Sequence, residues 1–196
     1  MEIPEIFWDK HPDEIIEFWD RKEPRVTKDR FSLISSFLSK IEYDSLLDIG
    51  CGNGNLIKYC KIPSSKYIGV DFAKGMLERL KKNYPDYKVI EANFLDCSPP
   101  RADVVIAHSF LEHQLLFWNC IDKLASLAKK ALLINVLVKD KGKVEYNPSG
   151  YWERVLSLEE FNKLKERLSK SFSIQEIKFY ARPERYLLLF RKSNSS

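Results

Sequence analysis

The stretch Asp48-Ile49-Gly50-Cys51-Gly52-Asn53-Gly54 constrains this chain more than any other. A short apolar run, Leu46 to Ile49, carries an acid near its end and opens into glycines at every second position. The helix-compatible run Leu56-Ile57-Lys58-Tyr59-Cys60 follows. Alternating glycines at a strand-to-helix turn let the backbone take positive φ and let a ligand approach without Cβ interference. The spacing is G-x-G-x-G, not the G-x-G-x-x-G that closes under a dinucleotide pyrophosphate. An acid just before the turn repels a pyrophosphate and suits a ligand carrying an ammonium or sulfonium charge.

The segments downstream repeat the same strand-then-helix rhythm. Strands are expected at 45–49, 67–71, 87–92, 103–107 and 131–137, with helices at 55–61, through Met76, Leu77, Leu80 and Lys81, and at 115–129. Asp103-Val104-Val105-Ile106-Ala107 is almost wholly apolar, as a parallel strand covered on both faces should be. Regular alternation of this kind argues a doubly wound, mostly parallel sheet. The chain ends differently. After a helix at 157–168, two β-like segments at 173–180 and 185–190 are separated only by Ala181-Arg182-Pro183-Glu184, short enough for an antiparallel hairpin. Upstream of the glycines, helices are expected at 12–21 and 27–40, with Pro24 between them.

On the acid-x-Gly-x-Gly-x-Gly motif from Asp48 to Gly54, the chain resembles the class I S-adenosylmethionine-dependent methyltransferases. The resemblance runs from about Leu46 to Phe190. It implies an α/β fold: a doubly wound, mostly parallel seven-stranded sheet, a C-terminal antiparallel hairpin and an N-terminal helical lid. It also implies S-adenosyl-L-methionine as cofactor. In such a protein Asp48, Gly50, Cys51, Gly52 and Gly54 form the floor of the cofactor site. Asp71, which closes the second strand, takes the ribose hydroxyls, and Phe72 stacks on the adenine. A strand-terminal aspartate also serves as a helix N-cap, so Asp71 has two readings. Asn93 and Phe94 stand where the family reads the adenine, with Asn93 in the place of the usual acid. That departure leaves open whether Asn93 or Asp96 makes the contact.

His108-Ser109-Phe110-Leu111-Glu112-His113 follows the fourth strand, where the family places the loop under the reactive methyl. His108 is a cofactor contact in this reading, and His108, Glu112 and His113 are the candidate general bases. The alternative is that Glu112 and His113 cap and orient the next helix. Many methyl transfers need no base, because positioning a nucleophile in line with the methyl supplies much of the rate. The long polar and aromatic segment from Lys139 to Arg154 reads as a substrate-recognition loop. Trp8, Tyr146, Tyr151, Trp152 and Arg154 are its candidate contacts, with Phe7, Phe18 and Trp19 as further lid aromatics. The Asn-Pro-Pro-aromatic motif and the Pro-Cys nucleophile of nucleobase methyltransferases are missing after the fourth strand, which counts against those substrates.

Length and charge add bounds. The 196 residues suit one domain, with 1–43 as helical cap, 44–191 as Rossmann-like core and 192–196 as polar tail. Four cysteines form no C-x-x-C pair and only three histidines accompany them, so no metal site is expected. No apolar run is long enough to span a bilayer, and a cytoplasmic location is expected. A net charge of +4 permits an anionic partner without a dense arginine tract. The expected activity is methyl transfer to an oxygen, nitrogen or carboxylate of a small molecule. RNA or protein acceptors, or a catalytically silent methyltransferase-fold subunit, are the alternatives.

Overall fold

The computed structural model describes residues 24–147, 151–179 and 184–191. The expected helix at 12–21 and the aromatics Phe7, Trp8, Phe18 and Trp19 lie outside those residues. The chain divides into two compact units, Met1–Pro99 and Pro100–Ser196.

In the first unit, α1 (Pro24–Leu38) precedes β1 (Leu46–Ile49), α2 (Asn55–Cys60), β2 (Tyr67–Asp71), α3 (Lys74–Asn83) and β3 (Lys88–Glu91). The helix expected from 27 begins earlier, at Pro24 itself, a first-turn position where a missing N–H costs nothing. The three strands are parallel, with β2 between β1 and β3 and Asp48 opposite Gly69. Parallel pairing places the carboxyl ends of all three together, so Asp48, Asp71 and Glu91 fall at or near one end. Every residue of β1 is buried. Helix α1 packs on α2 through Phe31 stacked on Tyr59, ring centroids 4.7 Å apart.

The second unit holds β4 (Ala102–Ala107), α4 (Phe117–Leu127), β5 (Ala128–Val138), β6 (Lys143–Asn147), β7 (Tyr151–Leu156), α5 (Leu158–Ser169), β8 (Phe172–Phe179) and β9 (Glu184–Arg191). The entirely buried β4 pairs parallel with β5. β9 lies antiparallel on β5 from Ala131 to Leu137, and β8 lies antiparallel on β9, as the terminal hairpin pattern predicts. A strand has two edges, and at residues 131–134 β4 and β9 take both edges of β5. The parallel pairing of Leu137 and Val138 with β7 therefore falls on the β4 edge, beyond the end of β4.

Two expectations need correction here. The segment from Lys139 to Arg154 is loop only in part: Lys143–Asn147 and Tyr151–Leu156 pair antiparallel, giving nine strands among the described residues where seven were expected. Alternation of Val144 and Tyr146 with charged neighbours supports a strand, and Trp152 pairs with Tyr146 across the hairpin. The helix expected at 115–129 spans only 117–127, because Ala128 already pairs with Ala102 as the first residue of β5. Helix α5 starts on a capping box: the Glu160 N–H donates to Ser157 Oγ at 3.1 Å, and the Ser157 N–H to Glu160 Oε2 at 2.9 Å.

Candidate functional site

In the first unit the glycine turn has the backbone its spacing predicts. Gly50, Gly52 and Gly54 all have positive φ, at 73°, 50° and 87°. A Cβ built on Gly52 meets no atom within 4 Å, so the space above that residue is open. At Gly54 a Cβ would press on Tyr84 at 3.2 Å, so this glycine serves helix packing. Asp71 ties the turn to the end of β2. Its Oδ2 accepts the Gly52 N–H at 2.8 Å, and its Oδ1 accepts the Ala73 N–H at 2.9 Å. The N-cap of α3 is Ala73, without a side-chain cap, so Asp71 is not the helix cap; it turns the chain towards that helix and braces the glycines.

Asp48 is only 3% exposed, and its Oδ2 accepts the Tyr67 hydroxyl at 2.7 Å. Burial pushes its carboxyl up to about 7; the Tyr67 hydrogen bond opposes that rise and the Asp71 charge adds to it. Burial likewise drives the Cys51 thiol and the Tyr67 hydroxyl well above their ordinary values. Phe72 is half-buried beside Asp71. Asn93 closes a turn, its Oδ1 accepting the Leu95 N–H at 3.0 Å, while Phe94 is buried and Asp96 exposed.

In the second unit the segment after β4 is fastened by residues far away in sequence. His108 Nε2 lies 3.1 Å from the hydroxyl of Tyr186, a fully buried residue of β9. The Ser109 N–H donates to Asn135 Oδ1 at 2.7 Å, and Ser109 sits at φ 52°, a left-handed conformation uncommon outside glycine. Asn135 is opposite Tyr186 in the β5–β9 register, and both are 0% exposed. His113 Nδ1 lies 2.9 Å from the Trp152 carbonyl, which only accepts, so Nδ1 carries a proton. Tyr151 packs edge-on against the His113 ring at 5.2 Å.

The turn Leu111–His113 therefore seats on β7, and its Glu112 is 9% exposed with Oε2 buried and without a hydrogen-bond partner. Buried acceptors are seldom left so, and a ligand donor is one remedy. The hairpin residues divide. Tyr146 is 38% exposed and edge-on to half-buried Trp152. Arg154 lies over Phe117 at 5.5 Å and 3.6 Å from Glu160, which anchors the hairpin to the capped start of α5. Trp8 lies outside the described residues.

Tyr67, Gly69, Asn135 and Tyr186 were not singled out from sequence. Three of them left a signal, Gly69 as a glycine within strand β2, and Asn135 and Tyr186 as polar groups inside the apolar runs of β5 and β9; Tyr67 left none. Among the described residues no group of three or more His, Cys, Asp or Glu side chains is placed to hold a metal ion, and no helix is long and apolar enough to cross a membrane.

Residues 47–135 match a protein family described as a methyltransferase domain. Over 114 residues the chain is 31% identical to trans-aconitate 2-methyltransferase from Enterobacter sp. (strain 638), a match covering 54% of this chain and 44% of that protein. It is 31% identical over 101 residues to ribosomal protein L11 methyltransferase from Clostridium botulinum, covering 48% of this chain and 32% of that protein. The chain thus spans less than half the length of these curated relatives. The crystal structure of magnesium protoporphyrin IX methyltransferase from Synechocystis PCC 6803, with S-adenosylmethionine bound, superposes with a TM-score of 0.74 at 16% identity. That match covers 98% of this chain and 99% of the other.

Proposed function

We propose that the chain is a class I S-adenosylmethionine-dependent methyltransferase, which the methyltransferase-domain match over residues 47–135 supports, and that it transfers a methyl group to an oxygen, nitrogen or carboxylate of a small molecule. The observation that carries this reading is the glycine turn of the first unit, with three positive-φ glycines and open space over Gly52. A cofactor passing over Gly52 needs that absent Cβ. The residues fit S-adenosyl-L-methionine. Asp71 closes β2 with a carboxylate of the kind that accepts ribose hydroxyls, half-buried Phe72 offers an aromatic face, and Asp48 supplies negative charge beneath the turn. When bound, the cofactor supplies an electrophilic sulfonium methyl for in-line displacement.

The chain's own work is then to bind, orient and manage a proton. The second unit selects the acceptor: Tyr146, Tyr151 and Trp152 line the added hairpin, and Arg154 holds that hairpin on α4 and α5. Glu112 is the group best placed to accept a hydrogen bond from an acceptor hydroxyl or amine, since its Oε2 is buried without a partner. His113 fixes the hairpin through Nδ1, which leaves the basic lone pair on Nε2. A small acceptor is supported by trans-aconitate and magnesium protoporphyrin IX in the names of two similar enzymes. A protein acceptor is the second reading, favoured by the match to a ribosomal protein methyltransferase.

Calorimetric titration with S-adenosylmethionine and S-adenosylhomocysteine, with NAD as control, tests the cofactor half. Micromolar binding of the adenosyl ligands and none of NAD is expected, and Gly52→Ala should weaken it at least a hundredfold. Absence of adenosyl binding would overturn the reading. Label transfer from methyl-tritiated cofactor to small carboxylic acids, phenols and amines, against ribosomal proteins and RNA, then separates the acceptors.

A further inference from the structure

Beneath the glycine turn the first unit contains a polar cluster that the cofactor contacts do not explain. Tyr67 begins β2 and is 1% exposed, yet its hydroxyl lies 2.7 Å from Asp48 Oδ2. Between them runs Gly69, the register partner of Asp48. A Cβ on Gly69 would fall 2.7 Å from Cys51 Sγ, closer than real Cβ atoms approach, and a tight 3.0 Å from the Tyr67 hydroxyl. Its φ lies outside the left-handed range, so space and not backbone conformation requires a glycine here. The missing side chain opens the path by which a tyrosine at the start of one strand reaches the acid on its neighbour.

We propose that Tyr67, reaching across Gly69, is a positioning residue of the cofactor site that holds the Asp48 side chain in its charged form beneath the glycines. The inference rests on the reading of that turn as the cofactor floor, and deepens it. A hydroxyl donating to a carboxylate stabilises the charged form and opposes the burial that disfavours it. Without that donor the buried group keeps its proton to higher pH, and the attraction for the ligand's ammonium and sulfonium is lost in the range where burial and hydrogen bond compete. The other titratable groups of this unit that act on Asp48 or feel it are Cys51 on the turn, Asp71 at the end of β2 and Cys60 on α2. Asp71 works in the same direction as burial, which makes the tyrosine the counterweight.

The test is calorimetric titration with S-adenosylmethionine from pH 6 to 9 on the full chain, for wild type, Tyr67→Phe, Asp48→Asn and Tyr87→Phe. Wild-type affinity should rise through pH 7, following Asp48, which titrates at about 7. Tyr67→Phe should move that rise to higher pH, leaving binding about threefold weaker at pH 7.5 and nearly equal to wild type at pH 9, for a shift of about one pH unit. Asp48→Asn should abolish the rise, and titration of the ligand's own amine is common to all four proteins. Tyr87, edge-on to Tyr67 at 5.4 Å and bonded to the Ile62 carbonyl, controls for loss of a neighbouring hydroxyl and should leave the profile unchanged. A Tyr67→Phe profile superimposed on wild type, with only a lowered Tm, would overturn the proposal. A flat wild-type profile would do so even if the variant does not fold. Wild type that binds no adenosyl ligand at any pH would overturn the cofactor reading itself.

Discussion

In the first unit the groups of interest are main-chain N–H and the carboxylates that brace them: Gly52 on Asp71, Ala73 on Asp71, and Asp48 under the turn on Tyr67. In the second unit they are side chains wedged into a loop by partners 26, 39 and 78 residues away. A backbone cradle suits a ligand that never changes, because it depends on spacing and φ and tolerates few replacements. A loop held by His108–Tyr186, Ser109–Asn135 and His113–Trp152 contacts suits a ligand that differs among relatives, because any one contact can be exchanged without unmaking a strand. The difference supports the proposal that the first unit holds the cofactor and the second chooses the acceptor.

That division can be broken or sharpened by experiment. The largest effect should come from Asp71→Ala, which removes the brace of Gly52 and the proposed ribose acceptor together. A loss of about 3–4 kcal/mol in S-adenosylmethionine affinity is expected, since charged hydrogen bonds contribute about 1.5–3 kcal/mol each; unchanged affinity would remove Asp71 from the site. Next is Asp48. Its folded value of about 7 is raised above the ordinary 3.8, so the fold retains a proton that the unfolded chain releases. Stability from this group is therefore present at low pH and lost as pH climbs towards 7. Asp48→Asn should raise stability more at pH 8 than at pH 5, by up to about 3 kcal/mol in urea unfolding. Equal gains at both pH values would refute the burial argument.

Smaller effects belong to the second unit. His113→Ala should cost about 1–2 kcal/mol of stability and loosen the hairpin, while the dissociation constant for S-adenosylmethionine stays at the wild-type value. A tenfold change in that constant would erase the contrast between the units. The smallest is Gly142→Ala. Its Cβ would fall 2.6 Å from the Ser157 nitrogen and 2.7 Å from Glu160 Oε2, so the capping box of α5 should weaken by about 1 kcal/mol, read as a lower Tm.

What could be read in advance follows the range of each interaction. The glycine turn, the acid closing β2 and the terminal hairpin are local patterns, and all stand in the structure where the sequence puts them. The Tyr67–Asp48 pair spans 19 residues and depends on strand register, which no window of sequence contains. Asn135 sits in the apolar run Ala-Leu-Leu-Ile-Asn-Val-Leu, where a lone polar residue marks a buried partner without saying which. The β6–β7 hairpin was hidden by charge: Lys139 to Lys143 and the paired Glu145 and Glu153 read as solvent-facing loop, although half-exposed strands carry such residues on one face. His113 offered two readings, base or anchor. Its proton on Nδ1, donated to the Trp152 carbonyl, makes it an anchor of the hairpin by that nitrogen.

The way β7 joins β5 has an evolutionary side. Among the described residues the register pairs Leu137 with Val155 and Val138 with Leu156, and the Lys139 N–H donated to the Leu156 carbonyl at 3.0 Å, carry that junction, and they lie past the stretch of β5 that β4 occupies. The hairpin is thus a graft on the tip of a long strand, removable or exchangeable without touching the pairs that β5 makes with β4. A lineage could swap this appendage to acquire a new acceptor while inheriting the glycine turn intact. An engineer could do the same by splicing between Val138 and Ser157.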